Sequence, residues 1–352
     1  MSELPEIGKI SPEIFNELIF PLLGAKSRSV IVGPQHGVDV GIVEIGDKAV
    51  ALTTDPVFIV PEYGWERAAW FAIHILASDA VTSGLKPKYL SIDLNLPMEM
   101  TKEQLEIVWD TMHKECKKLG IAVVCGHTAR YENCHYPMVG GATVICVGEK
   151  DEYVTPKMAR SGDKIIITKG PAIEATGIFA AMFPKVTERE FGAEFSKRAQ
   201  EVFYKMSVVE DALTAVSVGV RDSGITSMHD ATECGIWGGL YEIAQAANLG
   251  VRVEKERIVV EKCVPEICKY FGIDPYASIS EGTLIMSCRE HKAEEVVKAL
   301  SRKGIASSIV GELVSPGHGM ILVERGKEKK LKHPVVDPFW QAFYNALKNT
   351  PS

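Results

Sequence analysis

The sequence lacks the marks of several protein classes. None of its eight cysteines forms a C-x-x-C pair, so the usual zinc-ribbon and thioredoxin-type signatures are missing. The N-terminal stretch MSELPEIGKISPEIF has no basic segment followed by an apolar one, the pattern of a secretory leader. The longest apolar segments, such as AAWFAIHILA at 68–77, fall far short of the about 20 residues that cross a bilayer. Basic runs are scarce too. The densest, ERGKEKKLKHP, is broken by glutamates, and the net charge is -7. A nucleic-acid partner wants a basic face, which this composition does not supply. Low-complexity segments and short repeats are also missing. These absences predict a cytoplasmic chain with no membrane and no nucleic-acid partner. Its cysteines are then thiols in a reducing pool, and most sit in apolar runs as small hydrophobes.

What is present is a core. The chain has 352 residues, 46% of them hydrophobic, enough for about two domains. The start reads as a helix with Ser11 as cap and Ile14, Leu18 and Leu22 on one face. A glycine-containing stretch, VGPQHGVDV, follows. GIVEI and KAVALTTD read as a hairpin around Gly46-Asp47. A helical pattern runs from Glu66 to about Val81, KYLSIDLNLP reads as a strand, and a long amphipathic helix begins at the cap Thr101. IAVVCGHT and GGATVICVGEK are two more strands. After a break near 151–162 strands and helices recur to the end of the chain. The pattern predicts an α+β protein of two domains, 1–155 and 156–352, each a sheet with helices on one face.

Three aspartates need a chemical explanation. Asp55 ends the apolar run VALTTD, directly after Thr54, where a carboxylate would point into a ligand crevice. Asp79 lies in the helix AAWFAIHILASDAVTSG with apolar neighbours on nearly every side. A buried carboxylate there requires a cation, a donor or water. Asp39 sits in GVDVGIV, a glycine-flanked turn entering a strand. Singly, each also fits a turn or cap residue. Together they suggest hard oxygen ligands for Mg2+, which uses a few carboxylates plus phosphates and water. A fourth acid, Asp230, ends the strand in SMHDATECGIWGGL, before a turn holding Glu233 and Cys234 that opens a helix. Amides at such a turn can hold phosphate oxygens; an ordinary strand–helix connection fits equally. KGPAIEATGIFA is a similar turn.

These segments, in order, resemble the superfamily of aminoimidazole ribonucleotide synthetase, selenophosphate synthetase, thiamine-monophosphate kinase and the hydrogenase-maturation factor HypE, with HypE-like proteins nearest. The carriers are VGPQHGVDVGIV, LTTDPVF, LASDAVTSGLKPKYLSIDLNLP, CGHT, GDKIIITKGP, MHDATECGIWGGLYEIA, ISEGTLIM and IVGELV. The resemblance implies an N-terminal sheet that forms a β-barrel with a second copy, and a C-terminal α/β sandwich-like domain. It implies ATP in the cleft between them, its phosphates held by Mg2+ on Asp39, Asp55 and Asp79, and Asp230 facing the same cleft as a catalytic or ligand acid. Thr54, Asp55, Gly126, His127, Thr128 and Asp230 would contact the nucleotide. The reaction implied is phosphoryl transfer or ATP-dependent activation of a small acceptor.

Two departures shape the expectation. In CGHTARYENCHYP, His127 stands where the family loop carries an acid, and imidazole is a poor Mg2+ ligand. Either one metal fewer binds, or Glu132 reaches back, or His127 contacts phosphate. The C-x-H-x6-C-H spacing matches no common zinc pattern, and a hydrogen-bonded His with Cys125 and Cys134 packed as apolar residues is the plainer alternative. The sequence ends NALKNTPS, whereas HypE ends in a reactive cysteine, and the first cysteine is Cys116, too late for the N-terminal thiol of selenophosphate synthetase. The expectation is an ATP- and Mg2+-dependent HypE-like enzyme acting on a small acceptor without HypE's terminal thiol chemistry. The alternative is a nucleotide-binding assembly partner in hydrogenase maturation; a kinase for a vitamin-like phosphate is a third reading.

Overall fold

A computed structural model describes residues 10–35 and 37–349; His36 of the glycine-containing stretch and the termini 1–9 and 350–352 lie outside the described residues. The first helix is shorter than its periodicity predicts. α1 (Pro12–Ile14) passes into a π-helical turn at Phe15–Ile19 and a 3-10 turn at Phe20–Leu22. Of the three residues expected on one face only Ile14 is buried, while Leu18 and Leu22 are exposed. An uncovered apolar stripe has no packing to hold a regular helix.

The first sheet comprises β1 (Val30–Val32), β2 (Gly41–Ile45), β3 (Lys48–Phe58), β4 (Pro87–Leu96), β5 (Ala122–Arg130) and β6 (Met138–Glu149), in the order β1-β2-β3-β6-β4-β5. Only β4 and β5 run parallel. The β2–β3 hairpin turns at Gly46-Asp47 as expected, with Gly46 at φ +62°. The sheet is open and does not close into a barrel on its own.

α2 (Trp65–Val81) and α3 (Lys102–Leu119) cover one face. α3 is set by a reciprocal capping box, Thr101 Oγ1 accepting from the Gln104 amide at 3.2 Å and Gln104 Oε1 from the Thr101 amide at 2.9 Å. α2 is apolar all round because it is sandwiched between the sheet and the second half of the chain. Its Ser78 hydroxyl accepts the Val208 amide at 3.0 Å, and Phe203 sets its ring edge-on to Phe71 of α2 and to Tyr63.

In the second half, β7 (Lys164–Thr168), β8 (Ile225–Asp230), β9 (Gly250–Glu254), β10 (Leu284–Cys288), β11 (Ser307–Val314), β12 (Met320–Glu324) and β13 (Lys327–Lys330) form a mixed sheet in the order β13-β12-β9-β11-β7-β10-β8. Helices α4 (Ile173–Met182), α5 (Pro184–Phe191), α6 (Ala193–Glu201), α7 (Val209–Val216), α8 (Gly235–Ala246), α9 (Val264–Phe271), α10 (Glu290–Arg302) and α11 (Pro338–Asn349) complete it. The strands β7 and β10 and the edge strand β8 are almost wholly buried. A fully buried Ile such as Ile165, Ile166 or Ile167 contributes roughly 1.5–3 kcal/mol.

Candidate functional site

The four aspartates singled out in the sequence come together where the two halves meet. Asp39 lies in the loop before β2, Asp79 near the end of α2, and Asp230 is the last residue of β8. Asp55 is within β3 rather than at its end, since the strand runs to Phe58 and pairs Asp55 with Ala142. Strand alternation puts it on the same helix-covered face as Thr53. Thr53 Oγ1 donates to Asp79 Oδ2 at 3.3 Å. The Asp39 loop is seated against α8: at Gly37, φ +70°, a Cβ would lie 2.9 Å from the Glu242 carbonyl oxygen.

Asp230 is fully buried, and neither carboxylate oxygen has a hydrogen-bond partner. Burial pushes its carboxyl up to about 7, with Asp39 adding to the rise and His229 opposing it. Asp79 is largely enclosed by protein. Burial raises its carboxyl well above the ordinary range, followed by the charges of Asp230, Asp55 and Asp39. Uncompensated buried carboxylates are costly, so this cluster takes up either protons or positive charge.

Sequence reasoning missed three members. His229, on β8 beside Asp230, bridges Asp39 Oδ2 at 2.9 Å through Nδ1 and Glu242 Oε2 at 2.8 Å through Nε2. Glu281, in the ISEGTLIM segment, is fully buried; Oε2 has no partner, and burial and then Asp230 raise its carboxyl well above the usual range. Glu174 accepts the Glu281 amide at 3.0 Å, and burial pushes it up to about 8. The one signal for His229 and Glu281 was their place in quoted segments.

The two glycine-containing turns are less open than expected. The Cys234 amide, at the start of α8, already donates to Asp337 Oδ2 at 2.7 Å, and the Ile173 amide of α4 to Ser280 Oγ at 3.1 Å. These contacts use amides that the sequence offered to phosphate.

The remaining residues lie on β5 and β3, apart from the acids. Gly126 packs so closely on β4 that a Cβ would lie 2.4 Å from the Ile92 carbonyl oxygen. His127 is exposed, opposite Asp93, with Nε2 at 2.9 Å from Tyr131 Oη. Register puts Thr54 and His127 on the open face of the sheet and Thr128 on the covered one. Thr54 Oγ1 is 2.8 Å from Thr143 Oγ1. Cys125 is exposed rather than packed as an apolar residue, its thiol donating to Ser91 Oγ at 3.0 Å. Glu132 lies in the exposed turn after β5. Among the described residues the potential metal group is Asp39, His229 and Asp230, with donor atoms within 4.8 Å; the Cys/His stretch forms none.

Comparison with known proteins agrees with this architecture. The N-terminal domain of AIR synthase related proteins matches residues 37–150, and the C-terminal domain matches 160–324. Carbamoyl dehydratase HypE of Escherichia coli is 24% identical over 303 residues, covering 84% of this chain and 85% of its own. Selenide, water dikinase of Carboxydothermus hydrogenoformans is 26% identical over 354 residues, covering 90% and 95%. The crystal structure of hydrogenase maturation protein HypE in complex with ATP superposes with a TM-score of 0.64 at 21% identity, covering 94% of this chain and 97% of that one. No helix among the described residues is long and apolar enough to cross a membrane.

Proposed function

The chain belongs to the AIR synthase related family as a HypE-like member, and on that premise we propose that it is an ATP- and Mg2+-dependent enzyme that activates or phosphorylates a small acceptor. The observation carrying this reading is the cluster of Asp39, Asp55, Asp79 and Asp230, with both Asp230 oxygens unpartnered. Such a set of hard oxygens fits Mg2+. When bound, the ion neutralises charge on the phosphates. Domain 1–155 supplies three of the acids and domain 156–352 the fourth, so the cleft is complete only with both. Glu281 is fully buried, and burial followed by Asp230 holds its carboxyl well above the ordinary range, which makes it the proton carrier in this reading. Thr54, Gly126, His127 and Thr128 are the proposed nucleotide contacts on β3 and β5, Thr54 and His127 from the open face of the sheet and Thr128 from the covered one. The thiols of Cys146, Cys268 and Cys288, pushed up to about 12 by burial, are poor nucleophiles, so none of these three is the acceptor in this reading.

The test is Asp55→Asn. Calorimetric titration with ATP is expected to lose its Mg2+ dependence and ADP formation to cease, with the far-UV circular dichroism spectrum unchanged. Undiminished Mg2+-dependent binding and turnover would overturn the assignment. A second reading, a non-catalytic nucleotide-binding partner in hydrogenase maturation, is favoured by His127 in an acid's place, turned to Tyr131. ATP binding without ADP formation by the wild-type protein would select it.

A further inference from the structure

We infer that the Asp39–Asp230 end of the cluster holds a first-row transition ion such as Fe2+, with His229 Nδ1 as its nitrogen ligand, leaving Asp55 and Asp79 to Mg2+. The inference rests on the reading of Asp39 and Asp230 as metal ligands, and not on the nucleotide chemistry.

Spacing is the first argument. Nδ1 of His229 lies 2.9 Å from Asp39 Oδ2, and a donor oxygen of Asp230 completes a group within 4.8 Å. Two adjacent donors on an octahedral ion with bonds of about 2.1 Å stand roughly 3 Å apart. The pair is hydrogen-bonded, and its separation is one that neighbouring ligands keep once the Nδ1 proton leaves. The second argument is Asp230 itself, fully buried, with two unpartnered oxygens beside this pair.

A carboxylate also lies behind the His229 ring. A metal-bound histidine characteristically donates its other N–H to a carboxylate, which fixes the ring and raises its basicity. Here Nε2 meets Glu242 Oε2 at 2.8 Å, and the second Glu242 oxygen lies 3.6 Å from His333 Nε2. Glu242 is thus held from two sides. When an ion takes the Nδ1 lone pair, the Nδ1 proton leaves to solvent and Nε2–H remains on Glu242. Imidazole suits iron and zinc, whereas Mg2+ keeps to oxygen. A site of two carboxylates and one imidazole therefore selects the former.

The experiment uses the full chain, stripped with chelator and titrated with Mn2+ in the absence of nucleotide, read by pulsed electron paramagnetic resonance. Coupling from one imidazole 14N is expected in the wild type. It should be replaced by 15N coupling when the protein is labelled with 15N-histidine, and it should be absent in His229→Gln, with Mn2+ affinity at least tenfold lower. Glu242→Gln should retain the nitrogen coupling with affinity reduced about 10–100-fold. Mn2+ bound without nitrogen coupling in the wild type would overturn the inference, since His229 would then only hydrogen-bond to Asp39, and would leave the aspartate reading intact. No Mn2+ binding, with or without ATP, would overturn both.

Discussion

At the scale of single residues, the cluster is a store of unfavourable charge. Glu174 keeps a narrow opening to solvent, yet burial pushes its carboxyl up to about 8, the Glu281 amide opposes that, and Asp337, Glu233 and Asp230 add to the rise. A carboxyl raised on folding favours the protonated native state. Its stabilisation is whole below about pH 4.5 and is lost as pH rises through 8. The metal-free protein should therefore lose stability from pH 5 to pH 8. Glu174→Gln keeps an acceptor for the Glu281 amide and should remove about 2–3 kcal/mol of that slope, measured by urea denaturation at the two pH values. An unchanged slope would mean that Glu174 ionises freely in the native state. The same charges explain which site residues were legible. Asp79 stood out because an acid amid apolar helix residues demands a partner. Glu174 did not, since an acid in the first turn of a helix is ordinary dipole chemistry. His229 was hidden because β8 is buried on both faces, so alternation along the strand says nothing of what one side chain meets.

At the scale of elements, legibility follows how strongly local chemistry agrees with packing. α3 was readable from Thr101 onwards because cap and amphipathic stripe coincide. Thr101→Ala should cost about 1 kcal/mol, seen as a lower denaturation midpoint, while divalent-metal affinity stays unchanged because the cap is exposed and bonds within its own turn. β13, KEKK, was unreadable because all four residues are exposed and only pairing with β12 defines it. The loop before β7 is held differently. Arg289 Nη1 bonds both oxygens of buried Asp163 at 2.7 and 2.8 Å, and Nη2 reaches the Met158 carbonyl at 3.1 Å. Arg289→Ala removes the charge partner of buried Asp163, leaving it the Arg160 amide and the Thr226 hydroxyl, and should cost roughly 3–5 kcal/mol. That is several times the cap variant, and the ratio of the two is the informative measurement. Equal losses would show that solvent reaches Asp163.

At the scale of the whole molecule, the first sheet has one covered face and one open face, and the open face is divided. Register aligns Leu52, Ile145 and Tyr89 in one row and Val50 with Val147 in another, beside Val43. The next row is polar, Thr54, Thr143, Ser91 and Cys125. Apolar rows on an open sheet face need a partner, and a second copy meeting this one face to face is the arrangement expected for a dimeric barrel. Ile145→Lys puts an ammonium in the middle of the apolar rows, where it cannot be desolvated cheaply, while leaving the covered face alone. Sedimentation equilibrium is expected to show a dimer for the wild type and at least a tenfold weaker association for the variant, with unchanged circular dichroism. A monomeric wild type would refute the dimer. The same variant also tests how the nucleotide is shared. Thr54 and His127 lie on the open face, whereas the acids lie between the two halves of one chain. If β3 and β5 contact the nucleotide as proposed, breaking the dimer should weaken ATP binding. Mn2+ binding at Asp39 and Asp230 should persist. Loss of both together would place the acids, too, under the control of the second copy.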